Sequence, residues 1–359
     1  MTKAKKYVPV SPVLFGTVFI FVSVLRYPAE CAECAGDTLR SLYENVLPVL
    51  FPFMAISGII TELRLTLPLE KTVGALFPRL FRLPRCVFGP FLLGAICSFP
   101  VGAAAVTDTY REGKLTKSEA ECAAALASVT GPSFPVAVVG TLLLGNVRTG
   151  LLIYIVQLLT AFAVGIPFCR PFIKESRIEE MRAGPRERRG ILSVISDAIS
   201  SAATRCVAVC GTVLFFSLFC DRLVSAVGIT GKAEAIVYSL FEFSEGCRNA
   251  SVYGGATGAA ICAFAVSFGG LSVVAQSAAI MGKAGLSAVK LALFKLICGA
   301  VSAFAVFALT SLFDSLAPSV TTSPAFLSLP DVRVLPQITA ALLVSGIVMR
   351  IRHLILRPR

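Results

Sequence analysis

The sequence predicts an all-α polytopic membrane protein. Hydrophobic residues make up 56% of the 359 residues, charged residues make up only 15%, and the mean hydropathy is +0.81. Several apolar runs approach or exceed the roughly 20 residues that a helix needs to cross a bilayer. Lys and Arg cluster in short segments beside these runs, as the positive-inside rule expects of cytoplasmic loops. We therefore attribute the net charge of +12 to membrane topology and expect no nucleic-acid partner.

The basic residues decide which of the apolar runs cross the bilayer. Under the positive-inside rule, the basic stretch 64–85 and the basic linker 170–190 both belong in the cytoplasm. Eight crossing helices and two re-entrant hairpins satisfy the rule and place the N- and C-termini in the cytoplasm. The crossing helices are expected at 10–27, 45–63, 119–144, 149–172, 195–220, 255–282, 287–313 and 335–356.

The two re-entrant hairpins are predicted at 86–110 and 233–250. In the first, Pro100 cannot donate a backbone hydrogen bond and Gly102 tolerates a bend, so the apolar run is broken at its centre. If 86–110 crossed instead, the linker 170–190 with its seven Lys and Arg residues would lie outside. The second run, 233–250, is short and charged. If it forms a hairpin that enters from the outside, the basic loop after the next helix lies in the cytoplasm.

The two halves repeat one order of elements, which predicts an inverted repeat. Each half reads helix, hairpin, broken helix and helix, and the first half begins outside whereas the second begins inside. The alternative is that the small residues at the breaks serve only close helix packing. The predicted division is 1–44 for an N-terminal transmembrane helix and external loop, 45–172 for the first repeat, 173–194 for a basic cytoplasmic linker, 195–313 for the second repeat, and 314–359 for an external loop and C-terminal transmembrane helix.

Breaks at corresponding positions of two halves predict a solute site near the bilayer midplane. Backbone groups freed at such breaks survive in hydrocarbon only where protein or a water-filled cavity lines them. The hydroxyl and amide groups at these breaks favour a neutral polar solute over a bare ion. The candidate solute-binding residues are Ser98, Pro100, Gly102, Thr130, Gly131, Pro132, Ser133, Glu242, Ser244, Glu245, Gly246, Asn249, Gly269, Gly270, Ser272 and Gln276.

Glu242 and Glu245 are the carboxylates of this predicted site. They lie three residues apart, so they share a helix face or straddle the turn, and Arg248 follows Glu245 by three. A charge at membrane depth costs about 3 kcal/mol or more, which makes each a functional candidate. Either Glu245 and Arg248 form a pair that only cancels charge, or one glutamate binds the solute or a coupling H⁺ or Na⁺. Greater exposure of this segment is a third alternative.

Other chemistry finds little support in the sequence. The single histidine is His353, and the apolar core is nearly bare of the titratable groups that acid–base catalysis needs. We therefore expect no enzyme, no metal site and no cofactor. Cys31 and Cys34 are polar in context and are either unreactive or an extracytoplasmic disulfide, and Lys295 is expected to snorkel or pair. The basic N-terminus with its apolar run is interpreted as an uncleaved first helix rather than a signal peptide.

Six short motifs follow one another along the two repeats. They are SFPVGA at 98–103, GKLT at 113–116, EAE at 119–121, TGPSF at 130–134, FEFSEG at 241–246 and GGLSVVAQ at 269–276. Together they resemble the sporulation integral membrane protein YlbJ family over about 45–310, and Glu242 takes the position of that family's glutamate. The chain departs from the family pattern at Thr130, where Asn is usual, and at Ser98, where Gly is usual.

The resemblance implies a transporter fold. The YlbJ family belongs to the nucleoside-recognition Gate-domain group, which looks like the concentrative nucleoside transporters with their inverted repeats and re-entrant hairpins. It also implies endospore formation and a bacterial cell-membrane location. We therefore expect a permease in the lipid bilayer that moves a small polar, nucleoside-like solute by alternating access. The alternatives are a non-transporting protein that supports spore envelope assembly and a membrane ligand sensor, and homo-oligomerisation is left open.

Overall fold

The computed structural model describes residues 10–63, 66–173 and 190–316, and every regular element in these ranges is a helix. This confirms the predicted all-α fold. Two π-helical segments, Leu42–Val46 and Ser133–Leu143, lie between the α-helices. The α-helices are α1 (Val10–Arg26), α2 (Pro28–Ser41), α3 (Leu47–Glu62), α4 (Leu67–Thr72), α5 (Leu76–Phe81), α6 (Phe88–Cys97), α7 (Phe99–Arg111), α8 (Lys117–Ala127), α9 (Val147–Cys169), α10 (Ile191–Val227), α11 (Lys232–Phe241), α12 (Phe243–Ser251), α13 (Gly255–Phe268), α14 (Gly270–Gly282) and α15 (Val289–Leu316).

Four helices in the described ranges are long and apolar enough to cross a membrane, and two bent pairs raise this number to as many as six. The four match predicted crossings, and they are Val147–Phe172, Ile191–Val227, Gly255–Gly282 and Val289–Leu312. The bent pairs are Leu14–Arg26 with Pro28–Glu44, and Val73–Phe81 with Arg85–Cys97. The predicted crossings 45–63 and 119–144 contain only the shorter apolar helices Leu50–Ile60 and Ser133–Leu143. The helix expected at 335–356 lies outside the described residues, so the total of eight crossings stays a prediction.

The first expected hairpin is formed by α6 and α7, which are joined at Ser98. Ser98 has φ 85° and ψ 174°, a strained conformation that suits glycine, and Pro100 follows in the first turn of α7, where its missing N–H costs nothing. The two arms fold back so closely that Gly94 faces Gly102. A Cβ on either glycine would overlap the carbonyl oxygen of Ala127, so glycine lets α8 enter the hairpin.

The second expected hairpin is formed by α11 and α12, which are joined at Glu242. Gly246 lies four residues after this turn, as Gly102 does after Ser98, and a Cβ there would overlap Ser239 of the opposite arm. In the next helix, the break between α13 and α14 falls at Gly269 and Gly270, whose φ values of 82° and 73° favour glycine. Both halves therefore contain a hairpin followed by a broken helix.

Corresponding helices of the two halves pack on one another. Helix α3 packs on α10 and α9 packs on α15, whereas α7 of the first hairpin packs on α14, which follows the second break. These contacts agree with the predicted inverted repeat, whose boundaries stay a prediction. A buried aromatic core lies under the first hairpin, where Phe77, Phe81 and Phe91 contact Phe162 of α9 with ring centroids 5.0–6.4 Å apart. It fixes the first hairpin against the end of its own repeat.

The segment 28–44, expected as an external loop, is mostly the helix α2. Its termini carry ordinary helix signals, because Pro28 lies in the first turn, Glu30 follows it, and Arg40 lies in the last turn. Cys31 and Cys34 are both free thiols on this helix, so the disulfide alternative does not occur in the structure.

Two local contacts lie at the ends of the loop between α7 and α8. Thr116 and Glu119 form a capping box at the start of α8, in which the Thr116 N–H donates to Glu119 Oε2 at 2.7 Å. At the end of the first hairpin, Arg111 pairs with Asp108 at 3.4 Å, and both side chains are about half exposed. Both contacts lie at the side of the fold that is expected to face the cytoplasm.

Candidate solute-binding site

One cavity of about 90 Å³, which we call the central cavity, lies where the breaks of both halves converge. A single water needs roughly 10–15 Å³ by this measure, so the central cavity holds several waters or part of a small solute. Apolar residues of the first π-helical segment, α3 and α10 complete its wall. The lining from the breaks consists of Ser98, Phe99, Pro100, Ser133, Phe134, Glu242, Phe243, Ser244, Val273 and Gln276.

Glu242 is the charged side chain among the described lining residues, and it is fully buried. It forms the N-cap of α12, where its Oε2 accepts hydrogen bonds from the Glu245 N–H at 2.9 Å and the Ser244 hydroxyl at 2.5 Å. Its other oxygen, Oε1, has no hydrogen-bond partner among the described residues. Because a buried carboxylate oxygen without a donor is costly, Oε1 is suited to accept a hydrogen bond from a solute or water.

Three phenylalanines form an aromatic wall of the central cavity. Phe243 follows Glu242 and contacts both Phe99 of the first hairpin and Phe134 of the first broken helix, with ring centroids 5.5 and 4.8 Å apart. These rings join the two halves at the turn of each hairpin. An aromatic wall next to a few polar groups is the usual composition of a small-molecule pocket.

The first broken helix is closed by side chains of the protein itself. Gln157 of α9 forms two hydrogen bonds with the backbone of Thr130, accepting from its N–H at 3.2 Å and donating to its carbonyl at 2.9 Å. Lys295 of α15 donates to the carbonyl of Ser128 at 2.7 Å, and its ammonium lies 4.3 Å from the ring centroid of Phe99. Backbone groups freed by this break are therefore not available to a solute at Thr130 and Ser128.

Six of the predicted site residues line the central cavity. They come from both hairpin turns, from the π-helical segment and from α14, as the inverted repeat predicts. Side-chain oxygens or amides are present on five of the six. The six are Ser98, Pro100, Ser133, Glu242, Ser244 and Gln276.

The remaining predicted residues shape the breaks or lie beside them. A Cβ on Gly131 would overlap the carbonyl of Ile96, and one on Gly270 would crowd the carbonyl of Phe241, so these glycines allow close backbone approach. Thr130 is engaged by Gln157, and Ser272 is buried on α14 outside the cavity lining. The residues that do not line the central cavity are Gly102, Thr130, Gly131, Pro132, Glu245, Gly246, Asn249, Gly269, Gly270 and Ser272.

Glu245 lies on the other side of the hairpin turn and faces a second, polar cavity. Its carboxylate pairs with Arg248 at 2.5 Å, and its carbonyl accepts from the Asn249 amide at 2.9 Å. The structure therefore contains the ion pair between Glu245 and Arg248 that the sequence analysis gave as one of its alternatives. The two glutamates are separated in space, and Glu242 is the one that faces the central cavity.

Lys295 and Gln157 are residues beside the site that sequence reasoning missed. Lys295 is 2% exposed, so it does not snorkel, and it pairs with a backbone carbonyl of the neighbouring half. The sequence feature that could have identified Lys295 is a lysine within an otherwise apolar run. Gln157 carried the same kind of signal, an amide in the apolar helix α9, and neither position follows from a motif. Across the described ranges, no group of three or more His, Cys, Asp or Glu side chains could hold a metal ion.

Comparisons with known proteins agree with the motifs. The chain is similar to the sporulation integral membrane protein YlbJ of Bacillus subtilis (strain 168), with 26% identity in a match that covers 76% of each chain. No family model matches the chain, and no solved structure matches it. Together with the apolar helices, an integral membrane relative supports a membrane location. The similarity confirms the resemblance to the YlbJ family that the sequence motifs indicated.

Proposed function

We propose that the chain is a membrane carrier that binds a small polar solute in the central cavity and moves it by alternating access. The observation that carries this proposal is Glu242 Oε1, which has no hydrogen-bond partner in the described part of the chain and lies in a cavity lined by breaks from both halves. Broken helices that meet at one cavity between two repeats are typical of secondary transporters. The proposal includes no catalytic role, because the lining provides one carboxylate without a neighbouring acid or base.

The chemistry of the lining defines what the solute must offer. Glu242 Oε1 needs a donor, which a hydroxyl, amide or ammonium group supplies, and a charge-assisted hydrogen bond of this kind is stronger than a neutral one. Gln276, Ser98 and Ser133 add neutral donors and acceptors, and the aromatic wall packs against a planar or apolar face. A nucleoside, the class that the family resemblance implies, combines such donors with a planar base.

In the proposed mechanism, one half moves against the other at the place where the hairpin turns meet. Phe99 and Phe243 lie in contact across the cavity, while α7 packs on α14 of the opposite half. Separation of these rings would open the cavity towards one side, and corresponding contacts of the inverted half would close the other side. H⁺ or Na⁺ is the coupling ion that we propose to test, with Glu242 as its acceptor.

The test is thermal stability of the purified full-length protein with nucleosides, nucleobases and small metabolites, with and without Na⁺. A solute that binds the native state at 100 times its Kd adds about 2.7 kcal/mol to the unfolding free energy. We expect at least one solute to raise the melting temperature of the wild type, and Glu242→Gln to weaken its binding about tenfold or more, as loss of a hydrogen bond to a charged group does.

Glu112→Gln is the matched control, because Glu112 is exposed, pairs with Lys114 and is not among the residues that line the central cavity. This variant should bind like the wild type. Equal stabilisation of wild type and Glu242→Gln would remove Glu242 from the site. Uptake of the stabilising solute into proteoliposomes then separates a carrier from a ligand sensor, which binds but does not transport.

A role in sporulation is the second part of the proposal and is carried by the name of the Bacillus subtilis relative. It is compatible with transport and with the alternative of a non-transporting protein that supports spore envelope assembly. A sporulating host whose own gene is replaced by the Glu242→Gln variant distinguishes them. Normal spore yield with a correctly inserted variant would favour the assembly role, and loss of spores would favour transport.

A further inference from the structure

A second cavity, which we call the polar vestibule, has a volume of about 260 Å³ and lies between α2, the C-terminal part of α10 and the second hairpin. Its wall contains two guanidinium groups, from Arg222 and Arg248. Against these stand five carboxylates, from Glu30, Glu33, Asp37, Asp221 and Glu245. The vestibule is therefore acidic, in contrast to the largely apolar central cavity.

Part of this charge is compensated within the protein. Arg222 pairs with Glu30 and with Asp221, the latter at 2.6 Å, and Arg248 pairs with Glu245. Glu33 and Asp37 form no ion pair with another described residue, and both side chains are exposed on α2. Five carboxylates and two guanidinium groups leave three negative charges in the vestibule, and two of these belong to Glu33 and Asp37 on one face of α2.

A buried hydroxyl without a partner points to a ligand at the same place. Ser217 of α10 lines the vestibule, is 2% exposed, and its Oγ has no hydrogen-bond partner among the described residues. Tyr238, which donates to Asp221 at 3.4 Å, adds an aromatic ring to the wall. Carboxylates, a free hydroxyl and an aromatic ring form a suitable set for an ammonium group.

One face of α10 connects the polar vestibule with the central cavity. Val209 and Val213 line the central cavity, and Ser217 and Asp221 line the vestibule. Their spacing of four residues places all of them in one row along the helix. The turn at 242–245 separates the two cavities, with Glu242 on one side and Glu245 on the other.

We infer that the polar vestibule is a second binding site, for a small organic cation that carries an ammonium group, and that it feeds the central cavity. The second part rests on the proposed carrier function, whereas binding at the vestibule does not. An organic cation fits better than a bare metal ion, because no three acidic or thiol groups in the described part of the chain converge as metal ligands. The vestibule lies at the side of the fold that the charge pattern predicts to be extracytoplasmic, which is the side from which an imported solute would enter.

The test is binding of putrescine to the purified full-length protein in detergent at low salt, compared with butanediol, which replaces both ammonium groups by hydroxyls. We expect putrescine to raise the melting temperature of the protein and butanediol to leave it unchanged. Added salt should weaken putrescine binding, because it screens the charges of the vestibule. In the double variant Glu33→Gln/Asp37→Asn, we expect the putrescine Kd to rise about fivefold or more. Both side chains are exposed, so the variant should fold, and its ligand-free melting temperature checks this.

Two further variants locate the site. Glu234→Gln removes a carboxylate at the same end of the molecule but outside the vestibule lining, and it should bind putrescine like the wild type. Glu242→Gln should also retain putrescine binding in detergent, whether or not the protein transports. The inference is overturned if butanediol binds as well as putrescine, if the double variant binds like the wild type, or if Glu242→Gln alone abolishes binding, which would place putrescine in the central cavity.

Discussion

The two halves differ in how they satisfy the polar groups at their breaks. In the first half, Gln157 and Lys295 engage the backbone of the broken helix, and Tyr154 donates to the carbonyl of Ala95 at 3.0 Å beside the hairpin turn. In the second half, Glu242 keeps one oxygen without a partner. All six buried side-chain oxygens without a hydrogen-bond partner in the described ranges lie in this half, on Ser217, Glu242, Ser267, Ser272, Ser277 and Ser302.

We interpret this difference as a division into a scaffold and a proposed binding region. A buried polar group without a partner costs free energy in an apolar environment, so such groups persist where a ligand or water satisfies them. The break of the first half is closed by Gln157 of the same half and by Lys295 of the second half, so it can hold its shape without a solute. We therefore expect substitutions in the first half to lower stability, and corresponding ones in the second half to change binding.

Gly102→Ala should reduce stability the most, because it adds a methyl group where α8 packs into the first hairpin. The new Cβ would overlap the backbone carbonyl of Ala127, which cannot rotate away as a side chain can. Overpacking at such a site costs roughly 3 kcal/mol or more, and we expect little folded protein by size-exclusion chromatography. Gly211→Ala is the control, because among the described residues no atom beyond its own stretch of helix lies within 4 Å of a Cβ placed there. Equal yields of the two variants would show that the hairpin can open to admit a methyl group.

The two buried glutamines give the sharpest comparison between the halves. Gln157→Leu removes both hydrogen bonds to Thr130 and leaves its N–H and carbonyl buried without partners, which we expect to cost about 2–4 kcal/mol. Gln276 lines the central cavity and forms no hydrogen bond with another described residue, so Gln276→Leu should leave the melting temperature nearly unchanged and weaken solute binding. Equal losses of stability in the two variants would contradict the division into scaffold and binding region.

The fold was predictable where composition and charge act locally. Apolar runs identify the long helices, and the basic linker together with the Pro100 break identifies the first hairpin without any tertiary information. The region 28–44 was misjudged as a loop, because its polar residues mask ordinary helix signals at Pro28 and Arg40. Polar composition next to a membrane helix indicates solvent or a cavity, but it does not by itself indicate the absence of a helix.

The candidate site was predictable only in part, because a motif locates a break but not the groups that fill it. Glu242 and Glu245 look equivalent in sequence, yet the turn between them directs one into the central cavity and the other into the vestibule. Lys295 lies far along the chain from Ser128, and only the packing of α15 on α8 brings them together. Long-range contacts of this kind carry no local signal.

Two buried serines test the comparison at the smallest scale. The Ser128 hydroxyl donates to the carbonyl of Ala124 at 2.7 Å in the first half, so Ser128→Ala should lower the unfolding free energy by about 1 kcal/mol. Ser272 is fully buried in the second half, but its hydroxyl has no partner among the described residues, so Ser272→Ala should be neutral or slightly stabilising in ligand-free protein. Melting temperatures of the two variants, measured side by side, check this. If Ser272→Ala lowers the unfolding free energy as much as Ser128→Ala does, an ordered water or bound molecule already forms a hydrogen bond with the Ser272 hydroxyl. The division of the two halves by unpaired polar groups would then be contradicted at this position.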